Sequence, residues 1–300
     1  MQESRGARRA LVALLAVYAG ARVLQVFPTR VPTLSIVVLH VVPPAVFAWI
    51  HGARAWGQRG MVVFTAVCLG VASFFEILGL RTGFPYGPYF FTGVMGPKIS
   101  GLPILLALAY LGMGYAAWMV AEALLGPAAR SRAGVLLLPL AASGTMTAWD
   151  VAMDPVWVNV DRAWVWRDGG AWFGVPLTNY FGWLLTTWVF YQAFALWLRR
   201  REPRVTPPGW QRLAVLLYGL SAAGNLLLAV PSAVPATYPA WITDAAGHTW
   251  RMSVMVAACL VVSVGVMGSL ALAAWVRAGD AAGPERQEAP SGSPREPMSA

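Results

Sequence analysis

The chain has 300 residues, of which 58% are hydrophobic and 12% charged, with a mean hydropathy of +0.58 and a formal net charge of +9. That apolar share exceeds what a soluble domain carries, so the sequence reads as one polytopic membrane bundle and not as two globular domains. The positive charge does not imply nucleic acid as a partner, because the arginines fall in short loops between apolar runs and leave no basic face to meet a phosphate backbone.

In chain order, Arg5, Arg8 and Arg9 precede a first apolar run, residues 10–27, which at about 1.5 Å per residue is long enough to span a bilayer. Within it Ala19-Gly20-Ala21 has the small-residue pattern of a signal-peptidase site, so cleavage stands as an alternative to anchoring. Further spans are predicted over residues 33–50, 61–80, 102–125, 133–153, 179–198, 212–230 and 252–276, which gives an all-α bundle of about eight transmembrane helices. Their ends are set by Gly and Pro clusters such as Gly126-Pro127 and Pro207-Pro208-Gly209, where the helical ladder stops. Residues 1–278 form a single membrane domain, and the tail 279–300, rich in Pro, Ser, Gly and Glu, is expected to be disordered. Cys68 and Cys259 lie in separate apolar runs and read as packing thiols.

Counting Lys and Arg in alternate loops gives fifteen on the side of the termini and six on the other, with Arg22 inside the first span. Both termini are therefore expected in the cytoplasm of a multi-pass cell-membrane protein. On the outer side two long loops stand out, 81–101 and 154–178. The first is too rich in Gly and Pro for a helix and too aromatic for a solvated linker, so it is expected at the lipid interface or folded back over the bundle.

The stretch 145–183 concentrates the chemistry, holding Asp150, Asp154 and Asp161 together with six of the fifteen tryptophans. Asp150 and Asp154 are spaced i and i+4, on one face of the fifth span if the helix reaches that far. Pro155 is expected to end that helix at Asp154. Glu76 lies in the last turns of the third span, which runs in the same direction, so all three carboxyls reach the same outer third of the bundle. The plain alternative is that these acids cap helix ends or pair with Arg81, Arg162 or Arg167. Against it stands the cost of an ionisable group in a membrane segment, about 2.5–3.5 kcal/mol on insertion scales, which is rarely met without a function.

Other polar residues are read more modestly. Asp161 and Asp168 are expected to be solvated partners of Arg162 and Arg167. Asn179 and Asn225 approach the level of the carboxyls, where they could orient a water or simply bond between helices. His40 is read as a packed histidine, and His51 and His248 as interfacial. Trp49, Trp56, Trp197, Trp210 and Trp275 suit an interfacial belt, whereas Trp149, Trp157, Trp164, Trp166 and Trp172 exceed what one helix border needs. There is no HExxH, CxxC, phosphate-binding Gly-rich loop or GxSxG, so metal, nucleotide and acyl-enzyme chemistry have no foothold and no cofactor is expected.

Three segments, TGFPYGPYFFTGVMGPKISGLP at 82–103, AWDVAMDPV at 148–156 and WFGVPLTNYFGW at 172–183, resemble the carotenoid 1,2-hydratase family of CruF type, which includes the bisanhydrobacterioruberin hydratases. They cover roughly the central third of the chain and occur in the family's order. The resemblance implies a carotenoid substrate in the lipid bilayer, other enzymes of carotenoid synthesis as partners, and addition of water to the terminal C1–C2 double bond of an acyclic end, such as that of γ-carotene, lycopene or bisanhydrobacterioruberin. Such a reaction needs an acid to protonate C2, a shielded place for a tertiary cation and a water beside C1. Chemistry then assigns Asp150 as the acid, Glu76 as its partner, and Asp154 with Asn179 as holders of water. Trp149 and Phe75 would shield the cation, Tyr86 and Tyr89 would close the site, and Trp157, Trp172, Trp183 and Asn225 complete the set expected to contact substrate.

Two other readings remain. Asp150-x-x-x-Asp154 is similar to one of the two Asp-rich motifs of membrane prenyltransferases, but a second such motif is missing. A non-catalytic carotenoid-binding or transport protein could use the same acids to relay protons or brace helices, although no paired broken helices in matching halves support a transporter.

Overall fold

Inside a bilayer every backbone N–H and C=O has to be paired within its own segment, and apolar runs bounded by Gly and Pro satisfy that by coiling into helices. In the computed structural model, described over residues 5–27, 30–201, 206–230 and 240–280, these are α1 (Arg5–Leu24), α2 (Thr33–Ala55), α3 (Gly57–Thr82), α4 (Ile104–Leu125), α5 (Gly134–Asn159), α6 (Leu177–Leu198), α7 (Pro208–Gly224), and α8 (Met252–Leu260) running through a π-helical stretch, Val261–Gly268, into α9 (Ser269–Asp280). Among the described residues seven rods are long and apolar enough to cross a membrane. The first, which carries Arg5, Arg8, Arg9 and Arg22, is not among them, so composition supports seven spans where about eight were expected. It nevertheless packs along α2 and α7 as part of the bundle. The expected disordered tail lies almost wholly outside the described residues; within them α9 extends through Asp280, past the expected end of the membrane domain.

The centre is α4, whose residues from Ala109 to Ala121 are all buried. A helix that is apolar on every side has no preferred face and is stable only when surrounded. Small residues permit that: a Cβ at Gly112 would lie 2.8 Å from Pro44 Cβ and 2.9 Å from the Ala45 amide, so α2 and α4 touch backbone to backbone.

The long helix α5 contains Pro139 and Pro155 and does not end where the proline rule puts it. Proline withholds one N–H from the carbonyl four residues earlier, and that carbonyl must find another donor. Trp172 Nε1 donates to Val151 O at 3.2 Å, and Gln192 Nε2 donates to Val135 O at 3.0 Å. Both orphaned acceptors are met from outside the helix, so α5 continues to Asn159 and holds Asp154 in regular helical geometry.

At the end of the bundle that holds the C-termini of α3 and α5, the loop 81–101 folds back, as expected of it. Strand β1 (Tyr89–Phe91) belongs to it, and β2 (Lys98–Ile99) with β3 (Leu102–Pro103) forms a small hairpin leading into α4. Strand β4 (Trp164–Trp166), from the second long loop, pairs antiparallel with β1 in the register Tyr89 to Trp166 and Phe91 to Trp164. A second hairpin, β5 (Trp241–Thr243) with β6 (Thr249–Arg251), reaches the same end, where Asp244 Oδ2 accepts from the Gly170 amide at 3.1 Å. The loops therefore cap the helices as one layer.

Candidate active site

Beneath this layer α3 delivers Glu76, α5 delivers Asp150 and Asp154, and the first turn of α6 delivers Asn179, all at most 4% exposed. Asn179 Nδ2 donates to Asp150 Oδ2 at 2.9 Å and to Asp154 Oδ2 at 2.7 Å, which ties the two aspartates together. Asp154 Oδ1 accepts from Trp164 Nε1 at 2.7 Å. Glu76 accepts from two tyrosines, Tyr110 Oη at 2.7 Å on Oε1 and Tyr89 Oη on Oε2. Tyr89 is on β1 and Trp164 on β4, so the strand pairing that joins the loops also supplies a donor to each of two carboxyls.

Among the described residues Asp150 Oδ1 and Trp166 Nε1 make no hydrogen bond of ordinary length, although the Trp166 indole still bears on the Asp154 carboxyl. Both residues line a cavity of about 20 Å³ that is also bordered by Glu76, Tyr86, Trp164 and Trp183, which is room for about one water. An unpaired acceptor and an unpaired donor facing one such space are the two contacts a bound water or a reacting group would use. No cation balances the carboxyls: among the described residues the ion pairs are Arg130 with Glu122 and His248 with Asp244. Arg81, Arg162 and Arg167 are not ion-paired with the buried acids, so the plain alternative of helix-end pairing does not describe this cluster.

The aromatic walls are ordered by packing. The Tyr86 ring lies in a slot between two helices, where a Cβ on Gly79 would come within 2.7 Å of it and one on Gly182 within 2.5 Å. Its hydroxyl pairs with Thr186 Oγ1 at 2.7 Å. Trp183 stacks on Tyr110 with centroids 4.5 Å apart and planes 7° from parallel, and Trp149 meets Trp183 edge-on at 5.9 Å. On the α1 and α2 side a largely apolar cavity of about 40 Å³, walled by Trp149, Met153, Trp157 and Trp164 but also bordered by Arg22, His40 and Asn225, shares Leu106 and Trp164 with the first.

Several expected contacts fall elsewhere. Asn225 does not join Asp150; it bonds Arg22 and, at 2.8 Å, Ser263 Oγ, on the border of the apolar cavity. Phase along a helix decides which neighbour a side chain meets, and level in the membrane alone does not. Phe75 packs on Phe74 and lines neither cavity, and Trp172 braces α5 through Val151 and packs on Phe173. Trp157 stacks on Trp164 at 6.0 Å, one layer back from the carboxyls. Asp161 is half-buried; burial raises its carboxyl to about 7 while the Arg22 charge acts in the opposite direction, so it is not a solvated partner of Arg162. Trp210 and His51 are fully inside, with His51 Nε2 2.7 Å from Trp210 O and Nδ1 2.5 Å from Tyr115 Oη, rather than at the interface. Asp168 is exposed.

Sequence reasoning missed Tyr110, a tyrosine inside an unbroken apolar run, where only its hydroxyl set it apart. Among the described residues no three His, Cys, Asp or Glu side chains gather closely enough to hold a metal ion.

Comparison with known proteins bears on this site. Bisanhydrobacterioruberin hydratase of Haloarcula japonica is 32% identical over 127 residues, which cover 42% of this chain and 40% of that protein. The match thus spans well under two thirds of the relative's length. No solved structure matches the chain. The family model described as carotenoid biosynthesis protein matches residues 33–246, a segment that contains Glu76, Asp150, Asp154 and Asn179 as well as β1 and β4. On that match over most of its length, the chain belongs to the carotenoid biosynthesis protein family.

Proposed function

We propose that the chain is a carotenoid hydratase of the cell membrane, adding water across the terminal C1–C2 double bond of an acyclic carotenoid end to give a tertiary 1-hydroxy product. The observation that carries this reading is the cavity of about 20 Å³ in which Asp150 Oδ1 and Trp166 Nε1 are both unpaired, beside two further carboxyls and no cation. The name of the Haloarcula japonica relative supports the same reaction class.

Asp150 is the acid in this account, because Oδ1 is free while every oxygen of Asp154 and Glu76 already accepts a hydrogen bond. Three carboxyls crowded in apolar surroundings cannot all ionise, so one of them carries a proton. That proton passes to C2, which leaves the tertiary cation at C1. Asp154 and Glu76, fixed by N–H and O–H donors, supply the negative field that stabilises it, and the ring faces of Trp183 and Trp149 add to that field. A water held by Trp166 attacks C1 and returns one proton to the Asp150 carboxylate, so the acid is restored and no cofactor is consumed. The alkene would enter from the cavity beyond Leu106 and Trp164, which at about 40 Å³ has to widen to admit it.

A prenyltransferase reading is less well served, because Asp154 has both oxygens engaged by N–H donors and would have to release them to bind a metal diphosphate. The test is expression in a host that makes lycopene or γ-carotene, with mass analysis of the pigments: a gain of one water per acyclic end supports hydration, and unchanged pigment bound to the purified protein supports a carrier instead. Orientation is tested separately. With both termini in the cytoplasm, single cysteines at Ile99 and Asp168, in a chain lacking Cys68 and Cys259, react with an impermeant maleimide in intact cells; labelling only after lysis overturns the arrangement.

A further inference from the structure

The opposite end of the bundle holds a third, larger cavity that hydration does not use. Its volume is about 980 Å³, and among the described residues Arg59, Arg130, Arg132, Arg199 and Arg201 line it, with Glu122 as the acidic residue, a size within the range of ligand sites. These arginines come from segments far apart in the sequence, from the starts of α3 and α5 and the ends of α4 and α6, so no basic cluster is visible before folding. The cavity lies about 25 Å from the carboxylates, the rise of the seventeen residues of α3 between Arg59 and Glu76.

Four features point to one kind of ligand. Glu122 pairs with Arg130 at 3.8 Å, so among the described residues five guanidinium groups share one carboxylate. Like charges gathered in a concavity repel unless an anion joins them. The N-terminal turns of α3 and α5 border the same space and add the positive ends of two long helices. The indole N–H of Trp118, a residue 1% exposed in the cavity wall, has no acceptor in the protein. Guanidinium forks and an indole N–H suit a tetrahedral oxyanion with several acceptor oxygens, and the rings of Trp56 and Trp197 give its apolar portion a wall.

We infer that this cavity binds a phosphate-bearing anion, and that it does so independently of the carboxylate site. The phosphate could arrive as the headgroup of an anionic lipid or as a free diphosphate. Both arms can be read on the purified full chain in neutral detergent by native mass spectrometry. Wild-type protein is expected to retain phosphatidylglycerol and not diacylglycerol, which has the same tails without the phosphate. Arg59→Gln with Arg132→Gln should lower that affinity at least tenfold, and Trp118→Phe, which replaces the indole and its N–H by a smaller aromatic ring, should lower it several-fold. Carotenoid conversion by each variant serves as the folding control, because neither lies near Asp150. Displacement of the lipid by millimolar inorganic diphosphate identifies a soluble phosphate compound as the ligand; retention of the lipid against it identifies a headgroup. Equal retention of diacylglycerol, or wild-type phosphatidylglycerol and diphosphate binding in both variants, overturns the inference.

Discussion

The two ends of the bundle treat charge in opposite ways. At one end Glu76, Asp150 and Asp154 are buried with no cation, all their oxygens but Asp150 Oδ1 met by Tyr, Trp and Asn and a layer of paired loop strands closed above them. At the other, among the described residues, five arginines and one carboxylate line an open cavity. At an end open to water, anions can enter and offset such a charge. A buried carboxyl without a cation has no such relief and persists where an activity requires it. On the proposed reading the difference separates a place for proton chemistry from a place for holding an ion, and variants at each level of the first end can break or sharpen that distinction.

The largest effect is expected at the unpaired oxygen. Asp150→Asn keeps the shape and the bond to Asn179 but removes the acid, and hydration should fall by about 10²–10⁴, the range for loss of a general acid, while the protein accumulates in the membrane. Pigment analysis of cells expressing the variant measures it. Gly182→Ala comes next. Its new methyl would stand 2.5 Å from the Tyr86 ring, so overpacking of about 1–3 kcal/mol is expected, seen as a lower unfolding temperature in detergent together with reduced turnover.

A smaller effect tests the bracing of α5. Trp172→Phe removes the N–H that serves Val151 O and should cost about 0.6–2 kcal/mol, the worth of a hydrogen bond between membrane helices. Pro155→Ala restores a backbone N–H aimed at that same carbonyl, so the double variant should lose less than Trp172→Phe alone, and a double-mutant cycle on thermal stability reads the coupling. The smallest effect belongs to Asp168→Asn. An exposed acid outside the cluster should change conversion within about 0.5 kcal/mol of barrier, and a large loss there would move the chemistry out of the cavity.

What the sequence disclosed follows the range of the forces involved. Helix spans were legible to within a few residues, as in 61–80 against α3 (Gly57–Thr82), because hydropathy is local. Glu76, Asp150, Asp154 and Asn179 were legible as a set because acids are scarce in apolar runs, and helix direction alone places them at one level. Tyr110 and the strand pairing of β1 with β4 were not, since each depends on a partner far along the chain. The same reason hid the continuation of α5 past Pro155, whose freed carbonyl is met by Trp172 twenty-one residues away, and it misplaced Asn225, whose partners Arg22 and Ser263 lie on α1 and in the π-helical stretch. The basic cavity was hidden too: the loops looked like a scattered positive-inside signal until folding gathered them.

The central claim is that a carboxyl proton, passed from Asp150 to C2, and a water captured at C1 account for the reaction. Purified protein incubated with an acyclic carotenoid in D₂O, and in parallel in ¹⁸O-water under air, tests it most directly by mass spectrometry of the product. The account predicts one deuterium at C2 and the heavy oxygen in the new hydroxyl, with neither product formed by Asp150→Asn. A hydroxyl oxygen drawn from O₂, or a product made in D₂O without deuterium at C2, would contradict it.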